Sequence, residues 1–214
     1  TVAFLLPAIA ARGVDVTCVA TSVATEEAAR ALGLRVEAAA TVERLDLAID
    51  GADQIAPDWW LVKGGGAAHT REKVVAAMAD RFVVIADSSK AVDRLRAPIP
   101  LELLHYGLPS TLRLLDDVTL RGVPDSPDGN VIADYQGDAS DPANLAAWLG
   151  SVPGAPATKR WDGIGMLVKG GYLHDAGCEC LYCPSHHGEH PIERYRESYN
   201  QPADEPIVAN YQYS

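Results

Sequence analysis

Cysteine is scarce in this sequence and unevenly placed. Four cysteines occur among 214 residues, and three of them crowd into the stretch GCECLYC near the C-terminal end. A secreted protein held by disulfides normally spreads its cysteines through a small domain. The distribution therefore excludes a disulfide framework and predicts a protein of the reducing cytoplasm.

Positive charge and long apolar runs are also lacking. Lys and Arg number 18 against 29 Asp and Glu, which gives a net charge of −11. A nucleic-acid-binding domain normally shows a basic patch or stripe, so we expect no nucleic-acid partner, and an anionic ligand would need a local cluster of cations. No apolar run reaches the roughly 18–20 residues that span a bilayer. The apolar start TVAFLLPAIAARG lacks the basic leader of a signal peptide, so we expect no membrane partner.

What the sequence has is a clear alternation of strand and helix signals. Hydrophobic residues make up 48% of the chain, enough for a sizeable core. Strand-like segments are VDVTCVAT, RVEAA, RLDLAID, WWLVKGGG and RFVVIAD, and helix-like segments lie between them. In the first of these helices, Thr25 is a candidate N-cap and Gly33 a stop. The alternation predicts an α/β fold with an open, mostly parallel, Rossmann-like sheet and helices on both faces.

The pattern changes after Ala97. The segments PIPLELL, LRLLDDVTLRG, NVIADYQ and DPANLAAWLGSVPG alternate strands and helices as in a small ferredoxin-like α+β lobe. TKRWDGIGMLVKGGYL is a candidate for a strand that returns to the main sheet, and no sustained apolar period follows it. We predict an α/β domain over 1–97 and about 158–176, an α+β lobe over 98–157 and an irregular tail over 177–214.

Polar residues gather where strands end. Asp50, Lys63 and Asp87 each come at the end of a predicted strand, and ligands of such sheets bind at the carboxyl ends of the strands. The glycines after Lys63 allow backbone N–H groups to approach a ligand closely, although a tight strand-to-helix turn explains them equally well. Asp50 and Asp53 suit the hydroxyl groups of a sugar, but turn formation is the commoner role of such a pair.

Glu72 belongs to a helix that we expect to begin near Gly66, with an apolar stripe of Val74, Val75 and Met78. On the edge of that stripe, Glu72 is either a partly solvated surface residue or a half-buried general base. In ADSSK, a hydroxyl pair and Lys90 suit a phosphate or a hydroxyl-rich ligand, with a polar turn as the alternative.

These features occur in one order, and together they resemble a known family. The segments TSVATEEAARALG, DLAIDGADQI and LVKGGGAAHTREKVVAAMADRFVVIADSSKAVDRL, and more loosely PIPLELL and GNVIADY, are similar to type A ribose-5-phosphate isomerase. The resemblance covers roughly residues 1–154. It implies an enzyme that interconverts ribose 5-phosphate and ribulose 5-phosphate through an enediolate, without a cofactor or a metal.

The resemblance also implies roles for residues. Glu72 is the proton acceptor, and Asp50 and Lys63 assist catalysis. The residues implied to bind the phosphosugar are Thr1, Asp50, Gly51, Ala52, Asp53, Lys63, Gly64, Gly65, Gly66 and Lys90. A homodimer or a dimer of dimers is expected.

Two departures from the family lie near the ends. Thr1 aligns with the last residue of the family's GTGST phosphate loop, so we expect either a fragment or an incomplete phosphate site. The C-terminal segment is richer in thiols and imidazoles than a short closing strand requires. Its zinc candidates are Cys178, Cys180, Cys183, His186, His187 and His190, but C-x-C-x-x-C lacks a second paired arm, and an aberrant extension is the preferred interpretation.

Other functions remain open at this stage. The same kind of fold binds phosphosugars without turnover in some regulators, so a non-catalytic sugar-phosphate-binding module is the main alternative. An inactive fragment of the isomerase is the other. Glu72, Asp50 and Lys63 together favour catalysis, because a sensor has no use for a base on the carbon of its ligand.

Overall fold

The structure is a computed structural model that describes residues 2–154, 167–169 and 179–182. The helices in these residues are α1 (Val2–Ala11), α2 (Val23–Ala31), α3 (His69–Met78), α4 (Leu108–Leu114) and α5 (Pro142–Ser151). The strands are β1 (Thr17–Val19), β2 (Arg35–Glu37), β3 (Leu45–Asp50), β4 (Gln54–Ile55), β5 (Trp60–Val62), β6 (Ala79–Ala86), β7 (Ile99–Leu103), β8 (Val118–Leu120), β9 (Val131–Tyr135), β10 (Leu167–Lys169) and β11 (Glu179–Tyr182).

A parallel sheet with β6 at its centre carries the first part of the site. β3 and β11 both pair in parallel with β6, and β1 pairs in parallel with β2. The run from Phe82 to Ala86 is buried throughout, as expected for a strand covered on both faces. β11 lies in the segment that we predicted to be irregular, and for Glu179–Tyr182 that prediction is wrong. The domain division itself stays a prediction.

A second sheet, which is antiparallel, carries the next part. β5 pairs with β4 on one side and with β10 on the other, both antiparallel. The chain turns back after Asp50, and the Asp53 N–H donates to the Val62 carbonyl over 2.7 Å. β10 falls within the segment proposed as a returning strand. The reversal at Asp53 brings the end of β5 back toward the end of β3.

The α+β lobe begins with β7 and ends with α5. Its sheet has the order β7-β9-β8, with both pairings antiparallel. β9 is thus inserted between two parallel strands connected by α4, which is the split βαβ arrangement of ferredoxin-like folds. Ile99, Leu101, Leu103 and Leu149 are fully buried in its core.

Two details of the helices bear on the predictions. Ser22, not Thr25, caps α2, because the Ser22 side chain accepts the Thr25 N–H over 3.2 Å. Gly33 follows the helix at φ +77° and ends it as expected. In the described part of the chain, no helix is long and apolar enough to cross a membrane.

Candidate functional site

A buried lysine lies at the centre of the site. Lys63 follows β5, and only 2% of its surface is exposed. Its Nζ lies 2.7 Å from Asp50 Oδ2 and 3.6 Å from Glu72 Oε2, and it donates to the Gly51 carbonyl. A buried charge is tolerated when it is paired and hydrogen-bonded. The structure therefore brings three predicted residues, Asp50, Lys63 and Glu72, into one cluster.

Glu72 lies in the first turn of α3, and its N–H donates to the Ala68 carbonyl. The helix begins at His69 and not near Gly66, because the backbone at Gly64 (φ +92°) and Ala67 (φ +62°) is left-handed. The side chain is 13% exposed. Its Oε2 is buried without a hydrogen-bond partner in the described residues, since 3.6 Å to Lys63 is too long for a hydrogen bond.

The electrostatic surroundings of Glu72 favour its protonated form. Burial raises the pKa of Glu72; Lys63 opposes this shift, and the charges of Asp50 and Asp53 add to it. A carboxyl with a raised pKa exchanges protons more readily near neutral pH.

Gly64 and Gly65 of the glycine turn have little room for a side chain. Asp53 Oδ2 accepts the Gly65 N–H over 2.8 Å, and a Cβ on Gly65 would lie 2.6 Å from Asp53 Oδ1. A Cβ on Gly64 would lie 2.9 Å from the His69 ring. Gly66 has open space around the position of a Cβ. The Asp53 carboxylate thus stabilises the glycine turn through its hydrogen bond from Gly65.

Lys90 lies on a separate segment at the edge of this region. Asp87 caps the short 3₁₀ turn Ser88–Lys90 by accepting the Ser89 N–H over 2.8 Å. The Val92 N–H then donates to the Ile55 carbonyl in β4. Among the described residues, none forms an ion pair with Lys90.

Three residues that the sequence analysis did not single out contact the glycine turn and the start of α3. Glu102 is buried in β7 and accepts the Thr70 N–H over 2.9 Å. Arg121 donates to the Gly65 carbonyl over 3.2 Å. His69 is 4% exposed, and burial lowers the pKa of its imidazole. The sequence held one signal for Glu102, which is a lone acid inside the apolar strand IPLEL.

Several predicted residues lie outside the described part of the chain. These are Thr1, Cys178, Cys183, His186, His187 and His190. Cys180 lies in β11, where only the backbone is described. Among the described residues, no group of three or more His, Cys, Asp or Glu is arranged to hold a metal ion. The zinc hypothesis for the tail stays a prediction.

Comparison with known proteins gives one consistent family. The family model for ribose 5-phosphate isomerase A (phosphoriboisomerase A) matches residues 17–158. A ribose-5-phosphate isomerase A from Caulobacter sp. (strain K31) is 42% identical over 173 residues, which cover 72% of this chain and 75% of the relative. One from Roseiflexus sp. (strain RS-1) is 41% identical over 187 residues, covering 78% and 79%.

Solved structures agree with the sequence matches. The crystal structure of ribose 5 phosphate isomerase A from Neisseria gonorrhoeae has a TM-score of 0.71 and 28% identity, covering 85% of this chain and 79% of that one. A D-ribose-5-phosphate isomerase in complex with phospho-erythronic acid has a TM-score of 0.69 and 27% identity, covering 84% and 80%. The predicted α/β, Rossmann-like fold with its smaller lobe is confirmed.

Proposed function

The chain belongs to the ribose 5-phosphate isomerase A family, and we propose that it interconverts ribose 5-phosphate and ribulose 5-phosphate with Glu72 as the proton-transfer base. The prediction of an aldose–ketose isomerase is confirmed by its relatives. One observation carries the assignment of the base. The Glu72 Oε2 is buried, has no hydrogen-bond partner among the described residues and lies 3.6 Å from the buried Lys63 ammonium group, and the pKa of Glu72 is raised.

The chemistry moves one proton between two carbons and another between two oxygens. Glu72 takes the proton from C2 of the open-chain aldose, the electrons of that C–H bond form the enediolate double bond, and the C1 carbonyl oxygen becomes negative. Returning the proton to C1, while the proton of the C2 hydroxyl passes to the C1 oxygen, gives the ketose. A positioned base of this kind typically accelerates a reaction by roughly 10²–10⁴.

The negative charge of the enediolate calls for nearby donors. Lys63 is held by Asp50 at 2.7 Å, so its ammonium group is oriented before the substrate arrives. Together with N–H groups of the glycine turn other than that of Gly65, which donates to Asp53, it stabilises the enediolate oxygens, and one such donor is worth roughly 10²–10³ in rate. Asp50 passes a hydroxyl proton during ring opening. Lys90 and Thr1 are proposed for the phosphate end.

A direct assay of ribose 5-phosphate turnover tests the proposal, with Glu72→Gln beside the parent chain. We expect a loss of roughly 10²–10⁴ in kcat with retained binding of phospho-erythronic acid, the ligand named for a related structure. Glu26→Gln is a matched control, because Glu26 is an exposed acid that pairs with Arg30 on α2.

The outcomes separate the isomerase from the alternatives. Full turnover by Glu72→Gln would show that the base is another residue. A parent chain that binds the phosphosugar without turning it over would indicate the binding module or an inactive form.

Assembly and location are further parts of the proposal. We infer a homodimer or a dimer of dimers, acting in the cytoplasm on a phosphosugar. Light scattering measures the mass of the particle in solution, and a monomeric, fully active chain would contradict the dimer.

A further inference from the structure

Glu102 is a buried acid in β7 with hydrogen bonds to both carboxylate oxygens. Only 2% of it is exposed. Its Oε1 accepts the Ser126 hydroxyl over 2.6 Å and the Asn130 side-chain amide over 2.9 Å, and its Oε2 accepts the Thr70 N–H over 2.9 Å. Burying a carboxylate is costly, and here hydrogen-bond donors to both oxygens offset that cost.

The Thr70 contact gives α3 a cap that its own sequence does not provide. The residue before the helix is Ala68, which has no side-chain oxygen. An N-cap side chain normally accepts the N–H of the second or third helical residue, and Thr70 is the second. Glu102 fills this role from another part of the chain, and its negative charge suits the positive end of the helix dipole.

The charge state of Glu102 fits this role. Burial acts to raise its pKa, but the hydrogen bonds from Ser126, Asn130 and Thr70 outweigh burial, and the pKa is lowered overall. The group is therefore an anion at neutral pH, when it accepts all three hydrogen bonds.

A second contact from the lobe holds the other side of the same turn. Arg121 forms a two-pronged ion pair with Asp134 of β9, and its remaining nitrogen donates to the Gly65 carbonyl. Two residues of the lobe, Glu102 and Arg121, are therefore hydrogen-bonded to the backbone between Lys63 and Glu72, at Thr70 and at Gly65.

We propose that Glu102 is a positioning residue, which caps α3 from the lobe and thereby fixes where the Glu72 carboxylate meets the substrate. The inference rests on the proposed function, because it concerns the same proton transfer. Thr70 and Glu72 belong to the same helical turn, so fraying at Thr70 moves Glu72. A displacement of about 1 Å in such a group can cost roughly 10² in rate.

Glu102→Gln tests this inference with almost no change in volume. The single carbonyl oxygen of Gln serves either Thr70 or the pair Ser126 and Asn130, but not both. We expect kcat to fall by about 10–100-fold with KM within about twofold, since the ligand contacts remain. Hydrogen exchange should become faster in α3 and stay unchanged in α5, which is capped by its own Asp141.

Asp128→Asn is the matched control. It loosens the Arg71–Asp128 ion pair, which joins α3 to the loop at 126–130 but is exposed, and exposed ion pairs contribute little to stability. We expect its kcat to stay within about twofold of the parent. If Glu102→Gln does not fold, Asn130→Ala is the substitute, because it removes one hydrogen bond from Oε1 of Glu102. It should lower kcat by a smaller factor and leave KM nearly unchanged.

The outcomes are distinct. Unchanged kcat in a folded Glu102→Gln chain overturns the inference, and so does equal acceleration of exchange in α3 and α5, which indicates general destabilisation. If the parent chain has no turnover, the proposed function fails. Hydrogen exchange in the Glu102→Gln chain then tests by itself whether Glu102 caps α3. Lost protection confined to α3 supports it, and unchanged protection overturns it.

Discussion

Replacing Lys63 by Met should destabilise the protein in a way that depends on pH. The substitution keeps an unbranched side chain, which is slightly shorter, but removes the cation between Asp50 and Glu72. Asp50 is 23% exposed and keeps its hydrogen bond from the Gly51 N–H, whereas Glu72 is 13% exposed and loses its close cation. Breaking a buried ion pair by removing one partner typically costs about 3–5 kcal/mol.

The sign of the pH dependence follows from Glu72. Its pKa is already raised by burial, and Lys63 is the group that opposes this shift, so the variant raises it further. A carboxyl whose folded pKa lies above its unfolded value near 4.3 favours the folded state when protonated, and it destabilises that state as pH rises through the folded pKa. The cost should therefore approach about 3–5 kcal/mol at pH 8 and be clearly smaller at pH 5.

Urea denaturation of the parent and Lys63→Met at pH 5 and pH 8 measures this difference. The double variant Lys63→Met/Glu72→Gln is the control, because it has no titrating group at position 72 and should show much less of the extra cost at pH 8. A double-mutant cycle then isolates the pairwise term. A cost that is equal at both pH values in the single variant would refute the reasoning.

The remaining predictions concern the glycine turn and a remote helix cap. Gly65→Ala places a Cβ 2.6 Å from Asp53 Oδ1, so Asp53 must move; KM should rise about tenfold, as for the loss of one hydrogen bond of about 1.4 kcal/mol, and unchanged steady-state kinetics would count against a role for the turn in binding. Ser22→Ala removes the cap of α2 and should lower the free energy of unfolding by about 0.5–2 kcal/mol. Urea denaturation measures that loss, and kcat should remain at the parent value, because α2 contributes no residue to the site.

Sequence reasoning reached the centre of the site because the relevant signals are local. Asp50 ends a compact apolar strand, and Lys63 stands before three glycines. Strand ends and turn residues follow from short-range geometry, so the position of each residue at a strand end could be predicted, although the two strands lie in different sheets. The roles of these residues in proton transfer rest on the resemblance to the family and stay proposals.

The predicted buried face of α3 was partly wrong, and the reason is physical. We expected Val74 in the buried stripe, but it is 38% exposed, while His69, Lys73 and Ala76 are the buried residues of the helix. Hydrophobic periodicity assigns polar residues to solvent. Here the helix begins against Glu102 and carries Glu72 toward Lys63, so its covered face includes polar groups that sequence periodicity cannot detect.

Contacts between distant segments were the other omission. Glu102 has donors from Thr70, Ser126 and Asn130, which lie on separate parts of the chain. β4 has only two residues, too few for a periodic signal, and β11 has no apolar alternation strong enough to indicate a strand. Each depends on a partner elsewhere in the fold.

The position of β11 has a consequence for synthesis on the ribosome. β6 can pair with β3 soon after both strands are made. Its other edge stays without β11 until Glu179–Tyr182 have been synthesised, since Glu179 pairs with Val83. During that interval the apolar run from Phe82 to Ala86 presents unpaired N–H and C=O groups, which is the kind of edge that recruits strands from other chains. The nascent protein is therefore most prone to aggregation in the period before β11 is released from the exit tunnel.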